Sequence, residues 1–167
     1  MMTVYGRILL AGGGSAAILL GALGFQLIGG LVPCPLCIWQ RWPHLLAVLV
    51  ALAAVTLLWR QRRYLAGLGA VLMMLSTGLG VYHAGVEQDW WPGPTTCTSD
   101  SVAGKSVEAL MSEIMAAPLV RCDEIVWDLF GITMAGWNAI ISAGLAVLWI
   151  GAVIWWKNPY ESSSASQ

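Results

Sequence analysis

Two cysteines separated by two residues stand in the segment 33–41, between two long apolar runs of the chain. Cys34 and Cys37 can close a small disulfide ring or act as a dithiol, and the thiolate is the nucleophile in such chemistry. Pro35 suits the first position of a helix, which would place Cys37 in the first turn, where a thiolate is favoured. Arg41 follows Cys37 by four residues and therefore lies on the same helical face. The pattern indicates redox chemistry, with a structural disulfide as the alternative.

The composition is that of a membrane protein. Of the 167 residues, 58% are hydrophobic and 10% are charged, and the mean hydropathy is +0.73, whereas about a quarter of the residues of a soluble domain are charged. Ten tryptophans suit the aromatic belts at bilayer interfaces. The sequence has no basic patch large enough for nucleic acid and no phosphate-binding glycine loop. The lipid bilayer is the expected environment.

Four apolar segments are long enough to cross a bilayer, which takes about 20 residues. They cover about residues 8–32, 38–59, 64–86 and 134–156. The first is too long for the apolar core of a signal peptide, which has about 7–15 residues, so we interpret it as a retained helix. The sequence predicts an all-α membrane protein: a four-transmembrane-helix bundle that forms a single integral membrane domain over residues 1–167.

Five of the eight basic residues lie on one predicted face of the membrane, together with both termini and the polar C-terminal tail 157–167. They are Arg7, Arg60, Arg62, Arg63 and Lys157. The positive-inside rule makes that face cytoplasmic. Two loops, 33–37 and 87–133, then lie on the opposite face, and the second contains eight acidic and two basic residues. The chain is predicted to have its N- and C-termini in the cytoplasm.

All four cysteines fall on the predicted non-cytoplasmic side, where disulfides form and persist. They are Cys34, Cys37, Cys97 and Cys122. The loop that contains the last two also has apolar residues at helical spacing within 106–117, with Ser106 as a fair N-cap and Pro118 as a fair stop. This spacing predicts a short amphipathic helix, which either rests on the membrane or presents a face to a partner.

Three interpretations of the four cysteines compete. A zinc site usually pairs one Cys-x-x-Cys with a second, or with two histidines at short spacing, whereas His44 and His83 belong to two different apolar spans. No metal is therefore predicted. Two inert disulfides are possible, but a charged residue at the edge of a span favours a functional site. A relay, in which one cysteine pair is oxidised by the disulfide of the other pair, uses every cysteine and Arg41.

The chain resembles the bacterial DsbB family, the disulfide bond formation protein B family, over essentially its whole length. The resemblance rests on four spans, on the sequence CPLCIWQR at residues 34–41, and on Cys97 and Cys122 in the second outer loop. The sequence CDEIVWDLFG at 122–131, which leads into the last span, is also similar to that of the family. One departure is Gln40, where the best-known member has an acidic residue.

The resemblance implies a thiol oxidase of the bacterial inner membrane that has its cysteines on the periplasmic side. It would reoxidise a soluble thioredoxin-like carrier of the DsbA kind and pass the electrons to ubiquinone or menaquinone. The carrier's thiolate would attack Cys97 of a Cys97–Cys122 disulfide, and Cys122 would then exchange with Cys34 of the Cys34–Cys37 pair. Cys37, the sulfur nearest the membrane, would then meet the ring of the quinone.

The resemblance also makes Arg41 and His83 quinone-site residues. Arg41 can donate a hydrogen bond to a quinone oxygen and keep Cys37 ionised, while its alternative role is to anchor the span at the interface. His83 can donate a hydrogen bond or a proton, or it can simply pair with a backbone carbonyl. For His44 packing is the first interpretation, and Pro43 is expected to kink or restart the second span.

Two other protein classes remain as alternatives. One is a membrane thiol–quinone enzyme of the vitamin K epoxide reductase kind, in which the Cys-x-x-Cys usually has a different place in the order of the spans. The other is a non-enzymatic membrane scaffold that is stabilised by two disulfides. Quinone-dependent turnover separates the scaffold from an enzyme.

Overall fold

Four long helices make up most of the protein. The structure, a computed structural model, describes residues 2–94, 106–108, 111, 115 and 120–155, apart from the side chain of Trp59. The helices are α1 (Val4–Leu27), α2 (Pro35–Thr56), α3 (Arg62–Glu87) and α4 (Met134–Ile154), and a short 3-10 helix (Trp59–Gln61) precedes α3. All four are long and apolar enough to cross a membrane. α1 and α3 each pack against both α2 and α4, which confirms the predicted four-helix bundle.

The helices lie within a few residues of the predicted spans, and the end of α1 shows the largest difference. α1 ends at Leu27, so residues 28–32, which the apolar run assigned to the first span, are not helical. The backbone N–H groups of Ile28 and Gly29 both bind the Gly24 carbonyl, and Gly30 has φ +69°. Glycine adopts this left-handed conformation without a Cβ clash, and it stops the helix although the next residues are apolar.

The cysteine motif forms the start of α2, as its spacing predicts. Cys34 is the N-cap, its sulfur accepts a hydrogen bond from the Cys37 N–H at 3.2 Å, and Pro35 is the first helical residue. α2 does not restart at Pro43 but continues through it. A proline inside a helix removes one backbone hydrogen bond, and packing against the neighbouring helices supports the helix across this point.

Small residues bring the helices into close contact in the half of the bundle away from Cys34. A Cβ at Gly69 of α3 would overlap the ring of Trp149 of α4, which is fully buried. On α1, Gly12 lies against Ala51 of α2, and Gly14 lies against Leu145 of α4. Since the lipid tails are as apolar as the side chains, membrane helices associate largely through such close packing.

The contact between Gly69 and Trp149 gives a prediction of stability. Gly69→Ala forces the indole to move, and we expect it to lower the stability of the folded protein by about 1–3 kcal/mol. Gly67→Ala, two residues away on α3, meets no atom within 4 Å and gains helix propensity, so it should be neutral or slightly stabilising. Thermal unfolding of the two variants in the same detergent checks the contrast. Equal melting temperatures would contradict the packing.

A two-residue hairpin leads from the second loop into α4. Its strands are β1 (Asp128–Leu129) and β2 (Ile132–Thr133), and the turn residues Phe130 and Gly131 have φ +56° and +75°. Thr133 caps α4 by accepting a hydrogen bond from the Gly136 N–H at 3.1 Å. Of the amphipathic helix predicted within 106–117, only four helical residues are described: Val107, Glu108, Met111 and Met115. Most of the remainder lies outside the described residues.

Candidate functional site

A cavity of about 350 Å³ lies between the helices near Cys34. Its walls are mostly apolar, and α1 contributes one side from Ala17 to Phe25, with Trp127 and Met134 also on the wall. The few polar residues on its wall include Cys37 and Arg41. A cavity of this size and character is typical of a site for a small apolar ligand that a few polar groups orient.

The two cysteines of α2 differ in their surroundings. Cys34 is buried, Cys37 is half-buried on the cavity wall, and their sulfur atoms are 3.1 Å apart with Cys34 donating a hydrogen bond to Cys37. This hydrogen bond and burial raise the pKa of the Cys34 thiol. When the dithiol loses one proton, the negative charge is therefore favoured on Cys37, the sulfur that faces the cavity.

His83 of α3 reaches the same cysteines from the neighbouring helix. Its Nε2 atom is 3.5 Å from the Cys34 sulfur and 3.8 Å from Oε1 of Glu87, one turn further along α3. The backbone of Cys122 also lies close to this ring. Both His83 and Glu87 line the cavity. The structure thus brings His83 to the predicted site, with the thiol pair as its immediate neighbour.

Cys122 packs in a buried cluster with Cys34, Leu36 and Val86. The three predicted catalytic cysteines that the structure describes therefore meet in one region. Cys97 lies outside the described residues, and so does the expected Cys97–Cys122 pairing. Cys34 and Cys122 share this buried cluster, and Cys37 packs against it while also lining the cavity.

The site also contains three groups that could hold a metal. One ligand atom each from Cys34, Cys37 and His83 lies within 4.8 Å of the others. Two thiolates and an imidazole are common zinc ligands. The sequence disfavoured zinc because His83 is far from Cys34 and Cys37 along the chain. Distance along the chain does not show that α3 brings His83 next to them in the fold. The absence of a metal stays a prediction.

Arg41 lies on the cavity wall with Cys37, as the four-residue spacing predicts. Its Nη1 donates a hydrogen bond to Oε1 of Gln26 in α1 at 2.7 Å. This bond uses one of the five N–H donors of the guanidinium group and fixes the side chain beside the cavity. Arg41 is thus held at the predicted place by a partner that the sequence motif did not indicate.

A set of hydrogen bonds behind the cysteines was not predicted from the sequence. Gln40 Nε2 lies 2.7 Å from His83 Nδ1, and Asn138 of α4 donates from Nδ2 to Gln40 Oε1 at 2.6 Å. Asn138 Oδ1 lies 3.0 Å from His44 Nε2. The hydroxyls of Ser76 and Ser142 are 3.2 Å and 3.3 Å from the same His44 nitrogen. His44, interpreted from sequence as a packing residue, belongs to this polar network.

A signal for this network was present in the sequence. Polar residues inside apolar spans are costly and rarely accidental, and they recur here at helical spacing on three helices. The pairs are Gln40 with His44, Ser76 with His83, and Asn138 with Ser142. Each pair marks one face of its helix. Together these faces predict a shared polar interior, although not which atoms meet.

The similarity to known proteins covers nearly the whole chain and not only this site. The family model for the disulfide bond formation protein DsbB matches residues 6–152. A disulfide bond formation protein B of Albidiferax ferrireducens is 33% identical over 147 residues, which cover 81% of both chains. That of Nitrosospira multiformis is 33% identical over 161 residues, which cover 89% of this chain and 90% of the relative.

The family match runs from the first turns of α1 into the last turn of α4, so it includes every helix that surrounds the cavity. It confirms the resemblance found in the cysteine motifs. A membrane protein with this match and with paired thiols beside an apolar cavity is a disulfide oxidoreductase, and the chain belongs to the DsbB family of disulfide bond formation proteins.

Proposed function

We propose that the protein reoxidises a soluble, thioredoxin-like dithiol carrier of the DsbA type and passes the electron pair to ubiquinone or menaquinone in the bacterial inner membrane. One observation carries the proposal. The two sulfur atoms of the α2 pair face different surroundings, because Cys34 packs against Cys122 while Cys37 lies on the wall of the apolar cavity. Electrons can thus enter at one sulfur and leave at the other.

The thiol exchanges follow from this arrangement. A carrier thiolate attacks Cys97 of the Cys97–Cys122 disulfide, and the second carrier thiolate then closes the carrier's disulfide and leaves both residues as thiols. Cys122 next attacks Cys34 of an oxidised Cys34–Cys37 pair and releases Cys37 as a thiolate. Attack by Cys97 on Cys122 restores the outer disulfide and releases Cys34. The presence of Cys34 and Cys122 in one buried cluster supports the middle step.

The residues around the cavity fit a quinone. Apolar walls suit a flat ring with an isoprenoid tail, and the volume of about 350 Å³ lies in the range of small-ligand sites. Two buried polar atoms of cavity-lining residues, His44 Nδ1 and Glu87 Oε2, have no hydrogen-bond partner among the residues that the structure describes. As acceptors they would suit the hydroxyl groups of the reduced ligand and not the ring oxygens of the quinone. A bound quinone supplies an acceptor for the two electrons and two protons that a dithiol releases.

Arg41 and His83 would hold this ligand. The guanidinium of Arg41 can donate a hydrogen bond to a ring oxygen and favour negative charge there, close to the Cys37 sulfur. His83 lines the same cavity and can donate a second hydrogen bond. Both residues are positioned by other side chains, Arg41 by Gln26 and His83 by Gln40. The site is therefore preorganised.

The end of the bundle that contains Cys34 is proposed to face the periplasm. Three arginines at residues 60, 62 and 63 lie at the opposite end, in the connection between α2 and α3 and at the start of α3. Basic residues favour the cytoplasmic side. The start of α1 and the end of α4 would lie at that same end, since four successive helices that could each cross the membrane separate them. A carrier in the periplasm would then approach the loop that contains Cys97 and Cys122.

The proposal is tested with the purified protein in lipid nanodiscs, a reduced thioredoxin-like carrier and a short-chain ubiquinone. We expect one quinone to be reduced for each carrier disulfide formed. Arg41→Met should raise the KM for quinone at least about tenfold, because a charge-assisted hydrogen bond contributes about 1.5–3 kcal/mol. Arg63→Met, an exposed arginine at the other end, is the matched control. Carrier oxidation without quinone reduction would contradict the proposal.

A further inference from the structure

We propose that a one-way hydrogen-bond relay fixes the tautomer of His83, so that its Nε2–H faces the sulfur of Cys34. The relay is defined by three further side chains: Gln40, Asn138 and His44. The inference rests on the proposed function and deepens it, because it gives thiol exchange at Cys34 a permanent hydrogen-bond donor. It also makes Gln40 and Asn138 positioning residues, which act through His83 without touching sulfur.

The direction of the relay is set at Gln40. Its Nε2 atom is 3.4 Å from the backbone carbonyl oxygen of Leu36 and 2.7 Å from His83 Nδ1. A carbonyl oxygen only accepts, so the amide NH₂ group must be on this side. His83 Nδ1 therefore accepts a hydrogen bond and has no hydrogen of its own. A neutral imidazole has one N–H, which leaves the hydrogen on Nε2.

The surroundings of His83 Nε2 agree with this assignment. Its neighbours are the Cys34 sulfur at 3.5 Å and a carboxylate oxygen of Glu87 at 3.8 Å. Both atoms are electron-rich, so an N–H between them is favourable, whereas a lone pair there would be repelled by the carboxylate. The same hydrogen disfavours a metal bound by Cys34, Cys37 and His83, because coordination needs the lone pair of that nitrogen.

The far end of the relay gives an independent check. Gln40 Oε1 accepts from Asn138 Nδ2 at 2.6 Å, which turns Asn138 Oδ1 towards His44 Nε2 at 3.0 Å. That oxygen only accepts, so the hydrogen of His44 is on Nε2 and its Nδ1 is bare. His44 Nδ1 has no hydrogen-bond partner in the described part of the chain. An N–H there would be a buried donor without an acceptor, which native structures rarely tolerate.

Burial keeps the relay from being replaced by water. The exposed fractions are 6% for Gln40, 1% for His44 and 2% for His83. Ser76 and Ser142, both fully buried, surround the His44 nitrogen, and Ser142 donates to Ser76 at 3.1 Å. In such a low-dielectric interior a hydrogen-bonded polar network holds its members in one arrangement, and of the four relay residues only Asn138 is not fully buried.

The relay has a chemical consequence for Cys34. When Cys97 attacks Cys122 in a mixed Cys34–Cys122 disulfide, that S–S bond breaks and Cys34 leaves as a thiolate. An N–H that already faces the sulfur stabilises the developing negative charge, and a stabilised thiolate leaves faster. No proton is transferred in this step, because His83 keeps its Nε2 hydrogen and only donates a hydrogen bond.

Nitrogen NMR of the full-length protein with ¹⁵N-labelled histidine tests the relay. The chain has two histidines, so the spectrum contains two imidazole systems, which a His44→Leu variant assigns. We expect His83 in the reduced protein to show a bare Nδ1 and a protonated Nε2. A hydrogen on Nδ1 of His83, or rapid averaging between the tautomers, would overturn the proposal from the wild-type spectrum alone.

Two variants reverse the relay. In Gln40→Glu the new carboxylate only accepts, so Nδ1 of His83 should gain a hydrogen. In Asn138→Asp the new carboxylate turns the Gln40 amide around, and His83 Nδ1 should again become protonated although the substituted side chain does not touch the ring. Gln61→Glu, exposed at the opposite end of the bundle, is the matched control and should leave both rings unchanged. An unchanged His83 signal in both site variants would refute the relay.

These spectra need neither carrier nor quinone. Loss of quinone-dependent turnover with the expected tautomers would count against the proposed function alone. Normal turnover with the opposite His83 tautomer would count against the relay alone.

Discussion

Replacing Cys37 with serine is expected to abolish quinone-dependent oxidation of the carrier, lowering the steady-state rate by more than about a thousandfold. Cys37 is the sulfur on the cavity wall, and a serine hydroxyl cannot form a disulfide with Cys34. Electrons that reach Cys34 then have no way to the cavity. The measurement is the bleaching of a short-chain ubiquinone in the presence of the purified variant and an excess of reduced carrier.

The variant supplies its own control for folding. If the Cys97–Cys122 disulfide is intact, Cys37→Ser should still oxidise one equivalent of carrier in a single burst and then stop. This burst shows that the outer pair is assembled and that the block lies at the inner pair. Sustained turnover by Cys37→Ser would remove Cys37 from the electron path and with it the role of the cavity.

The second large effect is expected for Cys122→Ser, which should trap the carrier covalently. Without Cys122, the Cys97 thiolate attacks the disulfide of an oxidised carrier, forms a mixed disulfide and releases one carrier thiolate. No other cysteine of the outer pair then remains to displace the carrier from Cys97, and acid quenching before alkylation stops the return attack of the released carrier thiolate by protonating it. We expect a prominent complex on non-reducing gels of cell membranes, against a trace in the wild type, and mass spectrometry identifies the attached protein.

A double variant, Cys97→Ser with Cys122→Ser, is the control for this trap and should form no complex. The attached protein is expected to have a thioredoxin-like Cys-x-x-Cys pair. A complex linked through Cys34, or one that contains only proteins of other kinds, would contradict the proposed order of exchange.

The number of helices could be predicted from the sequence, but their ends could not. The length of an apolar run includes every residue that is apolar enough to lie in lipid, and residues 28–32 meet that condition. Their conformation depends instead on Gly30, whose positive φ stops α1. At the start of α2, by contrast, the N-cap and the first-position proline are local signals, and there the prediction was confirmed.

In the candidate site, too, the relations within one helix could be predicted and those between helices could not. The shared face of Cys37 and Arg41 follows from helical spacing within one element, and both line the cavity. The contacts of His83 with Cys34 and Gln40 depend on how α3 is rotated against α2, which a single sequence does not specify. Gln40, regarded from the sequence only as a departure from the family pattern, proves to be the residue that joins the two helices at the site.

The family match over nearly the whole chain, and not the cysteines alone, excludes the alternatives to a thiol oxidase. Two inert disulfides would explain four cysteines, and a scaffold needs no more. The family match over residues 6–152 places the protein with disulfide bond formation proteins and not with scaffolds. It also separates the protein from the vitamin K epoxide reductase kind, as the order of its spans and cysteines predicted.

α1 is the least enclosed of the four helices, with 22% of its most apolar window buried, against 33–39% for the others. Gly12 and Gly14 hold it against its neighbours in one half, while in the other half its residues from Ala17 to Phe25 border the cavity. On this side the cavity is bordered by the helix with the largest lipid-exposed share, so a hydrophobic ligand that binds there would reach it from the membrane interior. Occupancy is then governed by how strongly a compound partitions into lipid, so that long-tailed ligands accumulate there even when their intrinsic affinity is weak.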